Sequence, residues 1–141
     1  MSTPSEAVLK ALEIARPKCG TEVSLFFERD DGWRACTTAS HWDMGQIHEA
    51  DAEARCVAHW MKWLRDWASK HRGGTWGTPF WILEVRLGEK CVVCIGEDGP
   101  EGVSPFHLAE DNVRGHWTAD TLLDALALAV IAVGGAEHES T

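Results

Sequence analysis

Between Glu49 and Arg72 apolar residues recur at three- and four-residue steps. Val57, Trp60, Met61, Leu64, Trp67 and Ala68 make one helical stripe, with Arg55, Lys62, Arg65, Asp66 and Ser69 on the opposite side. Glu49, Asp51 and Glu53 fall in the first turns and Lys70, His71 and Arg72 in the last, the order that a helix dipole favours. Gly73-Gly74 supplies a left-handed stop. Trp60, Trp63 and Trp67 lie along one side, and each ring can bury roughly 150–250 Å².

Two further helices frame this one. Thr3-Pro4-Ser5-Glu6 is a start signal, with Thr3 as cap, Pro4 in the first position and Glu6 reaching back. Val8, Ala11, Leu12 and Ala15 form its stripe, and Pro17 ends it near Arg16. At the other end, Thr118 to Val133 is apolar nearly all round, the mark of a buried helix. Thr118 is its expected cap and Gly134-Gly135 its expected stop, leaving 136–141 as a flexible tail.

Strand patterns fill the gaps. Val23, Leu25 and Phe27 alternate within TEVSLFFE, Asp31-Gly32 offers a tight turn, and WRACTT returns. Ala39 to His48 is expected as a loop. A second hairpin runs FWILEVRL, turns at Gly88-Glu89, and returns as KCVVCIG. Trp81, Leu83, Val85 and Leu87 share one face. Residues 91–95 are apolar on both faces, so that strand needs cover on both sides. Glu97 to Trp117 is polar and glycine-rich and is expected as a long connection with a short helical turn near 108–113. The order is α-ββ-α-ββ-α. It predicts a single α+β domain in which the two hairpins merge into a four-stranded antiparallel sheet between helices, an α/β/α sandwich.

Composition narrows the function classes. A formal charge of −9 opposes binding to nucleic acid or an anionic membrane surface. It suits a basic protein partner. Five cysteines are an odd, scattered set, which points to reduced thiols and a cytoplasmic setting rather than a disulfide framework. The start MSTPSEAVLKALEIARPK lacks the apolar core of a secretory signal. The most apolar run, Leu122 to Val133, falls short of the roughly 20 residues that cross a bilayer.

Two stretches, HEADAEARCVAHWMKWL at His48–Leu64 and ADTLLDALALA at Ala119–Ala129, resemble small phage and prophage proteins with an α-β-α sandwich domain. There a Trp-containing helix with an acidic start precedes a hairpin and a closing helix of the type A-[DE]-T-x-x-x-A-x-x-x-A. The resemblance covers about half of the chain and implies an accessory protein of a virus or prophage, in the bacterial host's cytoplasm. It brings no catalytic residues and no cofactor.

Candidate chemistry is set against packing throughout. Cys91-x-x-Cys94 has the spacing of a metal knuckle, but no second pair completes four ligands. On a strand its sulfurs point to opposite faces, so buried core thiols are expected. Cys56 and His59 are one helical turn apart and are the pair to examine for a metal, although packing already explains Cys56. GEDGPEG at 96–102 lacks the lysine of a phosphate loop, and its acids repel phosphate. The aromatic and imidazole side chains in the expected loops, Trp42, Trp76, His107, His116 and Trp117, are the candidate interaction surface. Their alternative is to fold back and seal the sheet ends. The expectation is thus a non-catalytic accessory protein that binds a protein partner, with self-association open. Two alternatives are a Cys/His metal-binding protein or small enzyme, and an acidic inhibitor imitating nucleic-acid charge. The latter needs contiguous acids.

Overall fold

A computed structural model describes residues 3–17, 23–28, 32–37, 43–71, 81–108 and 113–139. Its first helix, α1 (Glu6–Ile14), buries Val8, Ala11 and Leu12 as its stripe predicts, but its cap is Ser5, whose side chain accepts from the Val8 amide. Thr3 is therefore not the cap. Strands β1 (Val23–Glu28), β2 (Gly32–Thr37) and β3 (Asp43–Gln46) follow. β1 and β2 pair from Val23↔Thr37 to Glu28↔Gly32, with Gly32 at φ +79°. Gly32 pairs with Glu28 and so belongs to the strand, while the rest of the expected Asp31-Gly32 turn lies outside the described residues. β3 pairs with β2 where a loop was expected.

The second helix, α2 (Glu49–Ser69), is capped by His48, whose Nδ1 accepts from the Ala50 amide. Its buried line is Ala52, Cys56, Trp60, Leu64, Trp67 and Ala68. Val57 and Met61 sit at the margin of that line. Lys70 is the C-cap, so no basic residue falls in the last turn. The expected Gly73-Gly74 stop lies outside the described residues.

Next come β4 (Ile82–Arg86), β5 (Cys91–Gly99), β6 (Gly102–Pro105), β7 (His107–Leu108), β8 (Val113–Arg114), β9 (His116–Ala119) and α3 (Leu122–Glu139). The class is α+β with a four-stranded antiparallel sheet, as expected, but this sheet is β4, β5, β6 and β9. The two hairpins do not merge; β1, β2 and β3 form their own sheet. Most of the expected long connection is strand. β5 is the organising strand. Gly96 pairs with both Ile82 and Pro105, and Cys94 with both Glu84 and His116. β4 therefore holds one edge, while β6 and β9 share the other, end to end. Arg86 pairs with Val92, so the β4–β5 turn is wider than a two-residue loop.

Where β6 and β9 meet, three backbone bonds close a triangle. The Ile95 amide donates to Gly115 O (2.9 Å), the Phe106 amide to Ile95 O (3.0 Å), and the Gly115 amide to Phe106 O (2.8 Å). From this junction β7 and β8 leave as a separate two-stranded ribbon.

The layering also differs from the expected sandwich. α2 and α3 touch each other; α2 packs on β4, α3 packs on β5, β8 and β9, and α1 packs on α3. Val93 and Ile95 join Trp60, Leu64, Leu126 and Val130 in one buried cluster, which also takes in Leu25 and Trp33 of the first sheet. The helices thus meet the four-stranded sheet on one face, and a single core serves both sheets. The physical demand behind the sandwich was real, because β5 is buried on its other face too: Cys94 is 3% exposed. Its cover is a hairpin. The tip of β5–β6 curls back, so that a Cβ on Gly102 would stand 2.8 Å from Arg86 Nη2 and 3.9 Å from Glu84 Oε2. β6 accordingly approaches β4 although β5 lies between them in the sheet, and Val103 is buried outside the main core.

α3 starts three residues later than the Ala119 that follows the expected cap. The Thr121 hydroxyl accepts from the Asp124 amide, and Ser5 Oγ donates to Asp124 Oδ1 at 2.6 Å, tying the starts of α1 and α3. Thr118 lies in β9. Nor does the helix stop at Gly134-Gly135; it continues to Glu139, so the expected tail is helical that far. A Cβ on Gly134 would come within 2.7 Å of Ile14 Cγ2, so this glycine allows α1 to approach closely.

Candidate functional site: the outer face of the four-stranded sheet

Alternation along each strand sorts the side chains of this sheet. Trp81, Leu83, Val85, Val93, Ile95 and Trp117 point into the core. Their neighbours Ile82, Glu84, Arg86, Val92, Cys94 and His116 take the outer face. Register places Glu84, Cys94 and His116 in one cross-strand row, and Arg86, Val92 and Thr118 in the next. Directly opposed residues stand about 4.5–5.5 Å apart at Cβ. His107 opposes Arg114 in the β7–β8 ribbon, and Arg114 lies near enough to Cys94 to act on its thiol. His107, Arg114, His116 and Thr118 are all exposed.

Two of the expected interaction residues, His107 and His116, are exposed, one on the ribbon and one on the outer face of the four-stranded sheet. Trp117 does not belong to it. It points inward and meets Phe106 edge-on at 6.1 Å. Phe106 stacks on Trp81 at 4.5 Å, and Trp81 on His71 at 5.4 Å. His71 in turn stacks on Trp67 at 3.9 Å, with its Nδ1 2.7 Å from Trp67 O. This ring column seals the sheet against the end of α2, which is the alternative that was set against the surface reading. Replacing Trp117 with alanine is expected to cost about 2–5 kcal/mol in a urea melt. Trp42 and Trp76 lie outside the described residues.

Electrostatics on the outer face centre on Cys94. Burial pushes its thiol above the ordinary value; Arg86 opposes this, Glu84 adds to it, and Arg114 opposes it. The neutral thiol is thus the resting form. Its contribution to stability is complete below the ordinary thiol pKa and is lost as pH rises through the raised one. Arg86 Nε donates to Glu84 Oε1, which holds that pair over the sheet beneath the curled hairpin. We expect iodoacetamide to label Cys94 at least about tenfold more slowly in the folded chain than in urea, read by peptide mass mapping. Equal rates would mean that the hairpin gives no cover.

The thiol motif divides as its spacing predicts. Cys91 packs against the core and Cys94 faces outward. Cys56 is fully buried on α2, and His59, three residues on, is half-buried. Among the described residues, no group of three His, Cys, Asp or Glu side chains gathers to hold a metal. At the tip of the β5–β6 hairpin, Asp98, Gly99, Pro100, Glu101, Gly102 and Ser104 line an open hollow of about 480 Å³. Among the described residues, no helix is long and apolar enough to cross a membrane.

Arg114, with Thr118, was missed as a surface residue. The signal was present: His116-Trp117-Thr118-Ala119 alternates polar and apolar, the period of a half-buried strand. No known protein family, characterised protein or solved structure matches the chain.

Proposed function

We propose that this chain is a small non-catalytic interaction protein, of the accessory type implied by its resemblance to phage and prophage proteins. Its contact surface is the outer face of the four-stranded sheet, around Arg114, His116 and Thr118. One observation supports this above the others: α2 and α3 gather on the opposite face, leaving exposed polar side chains here on paired strands. A backbone already held by strand pairing has little ordering left to lose on binding, which favours recognition. The surface is narrow. β5 has nine residues, about 30 Å of strand, and its flanking strands are about 10 Å apart. That suits a segment of a partner rather than a broad domain contact.

The nucleic-acid-mimic reading is less well supported, because Arg86 and Arg114 interrupt the acids on this face. A photo-crosslinking residue at Thr118, compared with one at exposed Lys62 on α2, tests the proposal in extract from the source cell. We expect a discrete protein adduct from position 118 alone. Equal capture at both positions, or capture from 62 alone, would overturn the assignment.

A further inference from the structure

We infer that the open edge of β4 pairs antiparallel with the same edge of a second copy of this chain, about a two-fold axis at Val85. This contact is independent of the surface around Arg114, His116 and Thr118. β4 holds one edge of the four-stranded sheet. The direction of its free backbone groups follows from β5. The Ile95 amide donates to Gly115 O, and Ile95 O accepts from the Phe106 amide, so both groups of Ile95 point away from β4. In an antiparallel pair, directly opposed residues bond to each other or turn away together. Leu83, opposite Ile95, and Val85, two residues on, therefore aim their amides and carbonyls at the open edge. Trp81, in the same alternation, sends its amide to His71 O at 3.0 Å, just past the end of α2. Beyond Trp81, among the described residues, no backbone bond covers this edge.

The residues on this edge select the occupant. Leu83-Glu84-Val85-Arg86-Leu87 matches its own reverse once acid is set against base. Turned about Val85, Val85 meets its copy, Leu83 meets Leu87, and Glu84 meets Arg86. Val85 then makes a hydrogen-bonded pair with its copy, as the outward direction of its backbone groups requires. A two-fold axis makes one surface answer itself, so the Glu–Arg pair occurs twice. Among the described strands, β4 alone holds both an acid and an Arg or Lys. Charges of one sign on an edge would repel a second copy; these attract it. Glu84 and Arg86 are within reach, their side chains 30% and 57% exposed. The apolar row agrees. Leu87 is 72% exposed, while Leu83 and Val85 are half-buried. Pairing sets Leu87 against the second copy's Leu83. A foreign strand would have to reproduce this order of residues, which a second copy already has. Each copy carries a net charge of −9. At about 0.15 M salt, however, exposed charges more than ~8 Å apart are largely screened, and those that meet at the edge alternate in sign.

Sedimentation equilibrium of the full chain, from about 5 to about 500 µM at about 0.15 M salt, is the test. We expect a monomer–dimer equilibrium with its midpoint in that range, since a ladder this short is a small interface. Glu84→Arg gathers only cations across the axis, and Arg86→Glu only acids. Each variant alone should therefore dimerise at least about tenfold more weakly than the parent. Mixed in equal amounts, the two should form a heterodimer of parental affinity, because acid again faces base. The double variant, Glu84→Arg with Arg86→Glu, should recover self-association for the same reason. Lys10→Glu, on α1 away from this edge, should leave the dimer unchanged. Circular dichroism matching the parent chain excludes misfolding of the variants. A parent chain still monomeric at about 500 µM, a dimer that neither single substitution weakens, or a mixture that stays monomeric would each overturn the inference.

Discussion

Trp60→Ala is expected to remove about 3–5 kcal/mol of stability, out of the roughly 5–15 kcal/mol that a domain of this kind possesses. Among the described residues Trp60 is the largest fully buried side chain, with 0% exposure. It also makes a long-range bond, its Nε1 donating to Ala15 O at 2.7 Å. Ala15 is the C-cap of α1, where a helix leaves carbonyls without internal partners. One ring therefore fills the centre of the core and ties the middle of α2 to the end of α1. Alanine would lose the packing and strand the carbonyl together. Trp60→Phe separates the two, because it keeps most of the ring and deletes the donor. Its cost should be smaller, about 1–3 kcal/mol, chiefly from the unsatisfied acceptor. Urea melts compare the variants, with an unchanged slope showing that only stability moved. A loss below about 1 kcal/mol for Trp60→Ala would contradict this account of the core.

Gly115→Ala should be comparably damaging for a different reason. A methyl there would stand 2.2 Å from Ile95 O and 2.6 Å from Phe106 Cδ1. Neither can retreat cheaply. Ile95 O accepts from Phe106, and the Phe106 ring is stacked against Trp81. Overpacking costs about 1–3 kcal/mol, and the three junction bonds add about 1 kcal/mol each if they open. A loss of about 3 kcal/mol or more is expected, with amide protection falling first along β6 and β9. Gly96→Ala should behave alike, since its methyl would lie 1.9 Å from Ser104 O. Gly88→Ala is the control. Its nearest atom, Lys90 O, is 3.7 Å away, so its effect should stay within about 0.5 kcal/mol. Similar losses at positions 88 and 115 would show that the junction is not the strained point.

The residues that were readable as a site, and those that were not, differ in what information places them. His107 and His116 were picked out as imidazoles in an expected loop, and both are exposed. Trp117 was grouped with them because its stretch was taken for a loop. Within a strand, His116 and Trp117 must point to opposite faces. The row Glu84–Cys94–His116 spans three strands, and its members are neighbours only through register. No spacing along the chain encodes that. The cover over Cys94 is similar: apolarity on both faces of 91–95 announced that a second cover was needed, without naming the β5–β6 hairpin as its source.

Local order alone determined the three helices, because a stripe at helical spacing declares its buried face without reference to any partner. It also determined the presence of both hairpins and the burial of β5. Cap positions shifted by a few residues, from Thr3 to Ser5 and from Thr118 to Thr121, since several adjacent hydroxyls can satisfy the same backbone amides. Which strands pair, which face the helices take, and whether a glycine pair ends a helix were decided only in three dimensions. Those outcomes depend on non-local contacts: β9 finding β5, Gly134 admitting Ile14, and the curled hairpin meeting Arg86. Such contacts join residues distant in sequence, and their energies exceed the small local preferences that a single chain segment carries.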